Sequence, residues 1–379
     1  MARWSQGAGK ISVDPTGFPA VFWKQLLSQF RQVNRKVRLA LPCIGMDALG
    51  HGLQEMEWDS TEIVYAYDTD GALLPALLHL HGPEQMSKFN IGSEHGDLLQ
   101  IDVTSWSRVD FVISGPPCPP FSSIGNRKDG DDARELVFQQ VTKIIIHQGC
   151  LACWGFVVEM VPGIMEHRGG EPSYHERWLA HLRWAAPMFL IQTWPMQSMD
   201  YLPQNRLRIY TVGTLRALGQ VPPPMIPSRH CRASLHELLH TGLPPITEEL
   251  LTRQQQENLI KAQQIACRRL QARAYVSPAS GNASNPTTVR NICSRPACIV
   301  VMAVDRDPDK GFGEHLRIDS ATPTLRAGHD MLWLWQLNKE GHVRLSRQLH
   351  PVERLAVQGF RPEVAKHFSK KALIRATGQ

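Results

Sequence analysis

The period of the apolar positions changes along the chain. Residues 17–34, GFPAVFWKQLLSQFRQVN, place Phe22, Leu26, Phe30 and Val33 three or four apart, the spacing of one face of an amphipathic helix. Short apolar runs then recur at Val37–Leu41 (VRLAL), Ile63–Asp70 (IVYAYDTD), Val109–Gly115 (VDFVISG) and Gly155–Val161 (GFVVEMV). Helical spacing separates them, at Ala72–Gly82 (ALLPALLHLHG, interrupted at Pro75) and at Ala133–Trp154. Apolar strands alternating with helices predict an α/β fold built on a doubly wound sheet. Such a sheet binds ligands beyond the carboxyl ends of its strands. Asp68, Cys118 and Glu159 all fall at such ends.

The alternation stops near Gly213. Residues 214–320 bring VPPPMIP, a Gln-rich helix (LLTRQQQENLIKAQQIACRRLQARAY) and the polar loop SPASGNASNP. After Ser320 compact patterning returns and ends in LHPVERLAVQGF, with no internal repeat along the way. The expected organisation is an N-terminal helical segment at 1–37, a main domain at 38–213 completed by 336–379, and an inserted smaller domain at 214–335.

Composition narrows the setting. The chain has 379 residues and a formal net charge of +6, a mild basicity that fits a polyanionic partner without requiring one. Its first residues, MARWSQGAGKISVDP, hold no apolar core of a signal peptide, and no run of about 18 apolar residues suggests a membrane span. The cysteines are dispersed, so they are expected to be reduced thiols of an intracellular protein.

The candidate chemistry centres on GPPCPPFSSIGNR (Gly115–Arg127), where Cys118 lies between two pairs of prolines. Prolines on both sides remove backbone freedom and hold a thiol at a fixed point, as a nucleophile requires. The turn alone is equally consistent with a plain loop that contains a cysteine. Glu159 ends the next apolar run, either as a surface acid or as a partner of that thiol. In YLPQNRLRIYTVG, Gln204, Arg206 and Arg208 alternate, and a strand would point both arginines to one face. That face suits anion or base recognition, or else is a solvated edge.

Other groups are assigned bland roles. Cys150 and Cys153 form a CxxC within an apolar helix and are read as packing. His230, Cys231, His236 and His240 lack a further ligand at zinc spacing, and no metal site is assigned. Asp305, Asp307 and Asp309 are read as a solvated turn, and Asp70 as a helix cap. The face of Lys261, Arg268, Arg269 and Arg273 is either solvated or a phosphate contact.

Taken in order, GPPCPPFSSIG, VVEMVPG and PQNRLRIYTVG resemble the DNA (cytosine-5) methyltransferases. Also in order, PCIGMDALGHGL (Pro42–Leu53) is similar to the family's first loop, and YDTD (Tyr67–Asp70) to the acidic end of its second strand. GDLLQID (Gly96–Asp102), ATPTLRA (Ala321–Ala327) and LHPVERLAVQGF (Leu349–Phe360) match further family segments. The resemblance runs from about residue 38 to the C-terminus, apart from 214–320.

The resemblance implies a Rossmann-like catalytic domain with an inserted target-recognition domain. It implies S-adenosylmethionine as cofactor and double-stranded DNA as substrate, with methyl transfer to carbon 5 of a flipped-out cytosine. Cys118 is then the covalent nucleophile, Glu159 acts at ring nitrogen N3 and the exocyclic amine, Arg208 contacts O2, and Arg206 supports the site. Ser122, Arg127 and Gln204 are implied on the substrate. Ile44, Gly45, Asp68, Thr69, Asp97, Leu98 and Pro116 are implied on the cofactor, with Asp68 at the ribose hydroxyls and Asp97 at the adenine amine. The loop Ser277–Asn291 is implied in base reading. The setting is the nucleus in a eukaryote, otherwise the cytoplasm or nucleoid. Two alternatives stand beside this reading, a tRNA methyltransferase of the same family and a catalytically impaired DNA-binding member.

Three departures from the family pattern are legible. Cys43-Ile44-Gly45 stands where Gly-x-Gly is usual, Glu159-Met160-Val161 where Glu-Asn-Val is usual, and the chain ends at Gln379 before the usual final helix. The amphipathic segment 17–34 is expected to take that helix's place beside the cofactor.

Overall fold

The computed structural model of the chain describes residues 35–55, 60–117, 133–167, 170–200, 202–220, 235–239, 251–275, 298–305, 307–308, 316–317, 322, 325, 332–337, 343–369 and 372–373. The helix expected at 17–34, Cys118, Ser122, Arg127, His230, Cys231, His240, Asp309 and the loop 277–291 lie outside the described residues, as do the side chains of His236 and Arg273. Contacts divide the chain into two compact units, one within Ser12–Gln197 and Leu207–Cys231, the other within Ser198–Arg206 and Arg232–Gln379.

The first unit is built on strands β1 (Val37–Pro42), β2 (Thr61–Asp68), β3 (Phe89–Ile91), β4 (Phe111–Ser114), β5 (Gly155–Met160), β6 (Phe189–Gln197) and β7 (Leu207–Leu215). They form one sheet in the order β3-β2-β1-β4-β5-β7-β6. The first five run parallel, whereas β7 is antiparallel to both β5 and β6. The order reverses between β1 and β4, which makes the carboxyl ends of those two strands the switch point where such sheets hold ligands. The crossover helices are α1 (Ala48–Glu55), α2 (Leu74–Met86), α3 (Ala133–Cys150) and α4 (Tyr174–Ala185).

The apolar runs become strands within a residue or two of expectation, but helix α1, read as part of a loop, and three further elements were not legible. Strand β3 is three residues long, too short for a period. Strand β6 (FLIQTWPMQ) is half-buried at most positions and sits at the sheet edge, where Pro195 is tolerated. Helix α4 hides its apolar stripe, Trp178, Leu179 and Leu182, among charges, and starts at a Ser173–Glu176 capping box. The expected interruption at Pro75 is corrected. Pro75 sits in the first turn of α2, where a missing N–H costs nothing, and the break comes at Gly82 (φ 74°), followed by Pro83. Asp70 does cap a turn, its Oδ1 accepting from the Ala72 N–H at 3.2 Å.

Asp110 pins the amino ends of the central strands. Its carboxylate accepts two bonds from the Arg35 guanidinium, at 2.5 and 2.8 Å, and one from the Arg38 N–H at 2.8 Å. Its carbonyl accepts from the Trp154 N–H at 2.8 Å and from the Cys153 thiol at 3.1 Å. One residue therefore ties the starts of β1, β4 and β5 together. Burial works against ionisation of Asp110, but the Arg35 bonds and the Arg38 N–H outweigh it and hold the carboxyl below its ordinary value. Burial pushes the Cys153 thiol up to about 12, so it packs as a neutral group in the core.

The second unit holds a four-stranded antiparallel sheet, β11-β10-β8-β9, from β8 (Cys298–Ala303), β9 (Leu316–Arg317), β10 (Leu332–Leu337) and β11 (Val343–Gln348). Alternate residues face opposite ways. Val300, Met302, Trp333 and Trp335 pack with Leu259, Ala262 and Ala266 of the long helix α6 (Arg253–Tyr275), the second helix of this unit. Ile299, Val301, Leu332 and Leu334 pack on the other face with Leu235 and Leu238 of the short α5 (Leu235–Leu238) and with Ala356 and Val357 of α7 (Pro351–Val357). Buried Glu353 receives Arg347 at 2.6 and 2.7 Å and caps α7 through the His350 N–H. The sequence pattern joined 336–379 to the main domain; by contacts β11 and α7 group with this second unit. Lys261 lies 3.4 Å from Asp307, so that lysine of the α6 basic face is engaged within the unit. Among the described residues no helix is long and apolar enough to cross a membrane.

Two outcomes test this account. Asp110→Ala leaves the Arg38 N–H and the part-exposed Arg35 guanidinium without their acceptor, while the backbone carbonyl still holds Trp154 and Cys153, and is expected to cost about 1–3 kcal/mol, read by chemical denaturation. In the parent, the Asp110 contribution is full above the ordinary carboxylate range and lost as pH falls through the lowered value. His175 is buried 3.0 Å from the Thr211 hydroxyl, and burial pushes its imidazole down. Its neutral form belongs to the fold, so stability is full above the ordinary histidine value and falls as pH drops below it. The melting temperature between about pH 7.5 and about pH 5.5 should change less in His175→Gln than in the parent.

Candidate active site

Three loops leave the carboxyl ends of β1, β2 and β3 and meet around Asp68. After β1 the chain turns through Cys43, Gly45 and Asp47, all with positive φ (61°, 56° and 52°). The Gly45 N–H donates to Asp68 Oδ2 at 2.9 Å, and the Ile44 N–H to the Tyr67 carbonyl at 3.0 Å. The other carboxylate oxygen of Asp68 accepts from the Asp70 N–H at 2.9 Å. After β3, the Gly92 N–H donates to the Asp68 carbonyl at 2.8 Å and the Gly96 N–H to the Gly92 carbonyl at 2.7 Å. Gly96 has no room for a side chain, since a Cβ there would stand 1.9 Å from the Asp68 carbonyl oxygen. This close approach is what sets Asp97 beside the end of β2.

Asp97 continues that edge, its Oδ1 accepting from the Leu99 N–H at 3.0 Å, with Leu98 buried behind it. Thr69 is exposed, and Ile44 and Gly45 are half-buried. Nothing lies within 4 Å of the place where a Cβ on Gly45 would stand. The turn thus faces open space, with carboxylates at Asp68 and Asp97 close by. Ile44, Gly45, Asp68, Asp97 and Leu98 are thereby brought to one sheet edge. The first departure from Gly-x-Gly has a backbone consequence. Cys43 occupies a left-handed conformation that a glycine adopts freely and that costs an L-residue roughly 1–2 kcal/mol.

A second constellation stands at β4, β5 and β7. Glu159, at the end of β5, accepts from Arg208 Nε at 2.9 Å through Oε1. Its partner strand positions the arginine, Glu159 lying opposite Tyr210 and Met160 opposite Ile209 in the β5–β7 ladder. Oε2 lies over Gly115, where a Cβ would approach to 3.2 Å. Glycine at the end of β4 therefore leaves space for the carboxylate. The glutamate is 29% exposed and the arginine 14%, so the pair is partly shielded yet reachable. Pro116 is buried just after Gly115, and Pro117 leads directly to Cys118 in the chain. Met160 is buried among the core side chains behind the site, a packing role that an Asn would fill poorly.

Arg206 differs from the expected alternation. Strand β7 begins at Leu207, and Arg206 precedes it in a turn that groups with the second unit, its carbonyl accepting the Ser198 N–H at 2.9 Å. Gln204 belongs to the same turn. It is 2% exposed and bridges to Thr322, with the Asn205 N–H donating to the Thr322 carbonyl at 2.8 Å. Its side-chain amide nitrogen is buried with no hydrogen-bond partner among the described residues, a donor that a bound molecule could satisfy. The sequence reading gave no packing role to Gly96 and Gly115, the glycines that close on Asp68 and Glu159. Their signal was present as Gly-Asp and Ser-Gly at strand ends, but which glycines touch a neighbour is set by tertiary approach.

Comparison with known proteins gives this geometry a family. A stretch of 162 residues is 30% identical to the Type II methyltransferase M.NlaX of Neisseria lactamica, covering 42% of this chain and 47% of that protein. Another of 165 residues is 27% identical to M.NlaIV of the same organism, covering 41% and 37%. The chain thus spans less than half the length of these curated relatives. The fold is similar to that of the Spodoptera frugiperda DNMT2, with a TM-score of 0.51 at 15% identity over 90% of this chain and 95% of that one. It is likewise similar to the Entamoeba histolytica methyltransferase EhMeth, with a TM-score of 0.52 at 12% identity over 91% and 94%. Residues 44–379 match the family of C-5 cytosine-specific DNA methylases, the stretch that contains every strand end described above except that of β1. The chain belongs to that family.

Proposed function

We propose that the chain transfers a methyl group from S-adenosylmethionine to carbon 5 of cytosine in double-stranded DNA, through a covalent adduct on Cys118. The observation that carries this reading is the Glu159–Arg208 pair standing over Gly115, three residues before Cys118.

Carbon 5 of cytosine is a weak nucleophile. Addition of the Cys118 thiolate to carbon 6 moves the ring electron pair toward carbon 5 and makes it reactive. Glu159, at N3 and the exocyclic amine, favours that addition by supplying a hydrogen bond or proton to the ring nitrogen. Arg208 holds the carboxylate in place and presents donors to the O2 side of the base. Departure of the carbon 5 proton and elimination of the thiolate then restore the aromatic ring. The base has to leave the duplex to reach these groups. Arg206 supports the site, and Ser122, Arg127 and Gln204 are assigned to the flipped nucleotide and its backbone.

S-adenosylmethionine supplies an electrophilic methyl group on a sulfonium. The residues at the ends of β1–β3 fit it. Gly45 leaves open space, the Asp68 carboxylate is the kind of acceptor that ribose hydroxyls take, and Asp97 suits an adenine amine. Ile44, Thr69, Leu98 and Pro116 complete that assignment. The inserted region 214–335, with the loop 277–291, is assigned to target recognition, and 38–213 with 336–379 to catalysis. The family's designation as DNA methylases supports duplex DNA over tRNA.

Two experiments check this. Duplex DNA carrying 5-fluorocytosine, incubated with the protein and S-adenosylmethionine, should give an adduct that survives denaturation and is lost in Cys118→Ser. Glu159→Gln should form it roughly 100-fold or more slowly, the scale of lost general acid catalysis. An adduct formed with tRNA and not with DNA would reverse the substrate assignment. Gly96→Ala forces a shift at the Asp68 carbonyl, and overpacking of about 1–3 kcal/mol corresponds to roughly tenfold weaker S-adenosylmethionine binding. Unchanged affinity by calorimetry would remove the β3 loop from the cofactor site.

A further inference from the structure

A buried carboxylate–imidazole pair lies directly behind the first loop, and none of the chemistry above uses it. Asp47 is 2% exposed and its Oδ2 is 2.7 Å from His81 Nε2. The histidine comes from α2, its side chain is 8% exposed, and its ring packs at 4.9 Å on Phe89 of β3. The other Asp47 oxygen, Oδ1, accepts from the Gly50 N–H at 2.9 Å and caps the start of α1. Gly50 is shaped around the pair, since a Cβ there would stand 2.0 Å from Asp47 Oδ2. Asp47, Gly50 and His81 thus form one fitted unit that links the β1 loop to α1, α2 and β3.

The loop it holds is strained. Cys43 and Asp47 both take left-handed backbone without being glycine, on either side of the Gly45 that bonds Asp68. Such conformations are unfavourable for residues other than glycine and persist only where their surroundings over-determine them. The Asp68 bond fixes the loop at Gly45, and the His81 bond fixes it at Asp47. Among the described residues, His81 is the one side chain that bonds Asp47.

We infer that His81 is a positioning residue for the cofactor, acting through Asp47 to hold the Cys43–Asp47 turn in the conformation that receives S-adenosylmethionine. The inference rests on the assignment of Ile44, Gly45 and Asp68 to that cofactor. Without the imidazole, the turn relaxes in the free protein, and binding has to restore the strained form. The effect falls on affinity for the cofactor and leaves the chemistry at β4 and β5 alone.

The test measures binding of S-adenosylmethionine by calorimetry to the full chain and to His81→Ala, His81→Gln and the double variant His81→Ala with Cys43→Gly. Circular dichroism keeps the comparison to folded protein. Loss of one buried charge-assisted hydrogen bond predicts affinity weaker on the order of tenfold in His81→Ala. His81→Gln places an amide N–H where Nε2 was and should restore most of it. Cys43→Gly lowers the strain to be restored and should recover part of the loss in the double variant. In turnover assays the KM for the cofactor rises while kcat at saturation holds. A His81→Ala protein that stays folded and binds as the parent does overturns the inference and leaves the cofactor assignment standing. A parent chain that binds no S-adenosylmethionine overturns that assignment and the inference with it. If His81→Ala unfolds, His81→Gln decides alone: weak binding by that folded variant counts against the role given to the Nε2 bond.

Discussion

The hydrogen bonds around Asp68 set the geometry of the site. Its carboxylate receives the Gly45 and Asp70 N–H groups, and its carbonyl receives that of Gly92. A single residue at the end of one strand therefore fixes the exits of three. Backbone donors at a strand end would otherwise need water. Here they are gathered on one side chain and one carbonyl, which leaves the loops rigid and the space beside Gly45 open. The tight approach of Gly96 follows from the same constraint, because the Gly92–Gly96 turn folds against the Asp68 carbonyl.

Much of this was legible in the sequence, for a physical reason. Strands buried on both faces are written as apolar runs, and their ends are marked by the first acid or glycine after them, as at Asp68, Gly115 and Glu159. Strand β6, helix α4 and the short β3 were hidden. An edge strand can carry Gln, Thr and Pro, and a helix with one narrow apolar stripe among charges has little contrast. Arg206 and Arg208 read as one alternating pair, yet the strand starts between them, a boundary that composition does not mark. The Asp47–His81 bond joins residues 34 apart through a helix and had no local signature at all.

The second unit meets the same packing problem with a different solution. Its small antiparallel sheet is covered on both faces, so its central strands β8 and β10 are apolar at nearly every position, as in CIVVMA and LWLWQL. Indole nitrogens in such a core need partners. Trp333 finds the Ser346 hydroxyl at 2.7 Å, whereas Trp335 Nε1 has none among the described residues. The buried Arg347–Glu353 pair sits where α7 begins and is joined by a bidentate contact. Removing either partner would strand the other, so the pair resists single changes whatever its net contribution to stability.

The placement of Asp110 divides the sheet of the first unit into two territories. The amino ends of β1, β4 and β5 are bound to one acid, while the carboxyl ends of those strands carry the loops of the site. Loops at the carboxyl edge can be exchanged or drift in sequence while the opposite edge keeps the strands in register. Variants that fold poorly in the heat would gather at one edge, and variants with altered cofactor or target preference at the other. A scaffold divided in this way can acquire a new specificity without first losing its fold.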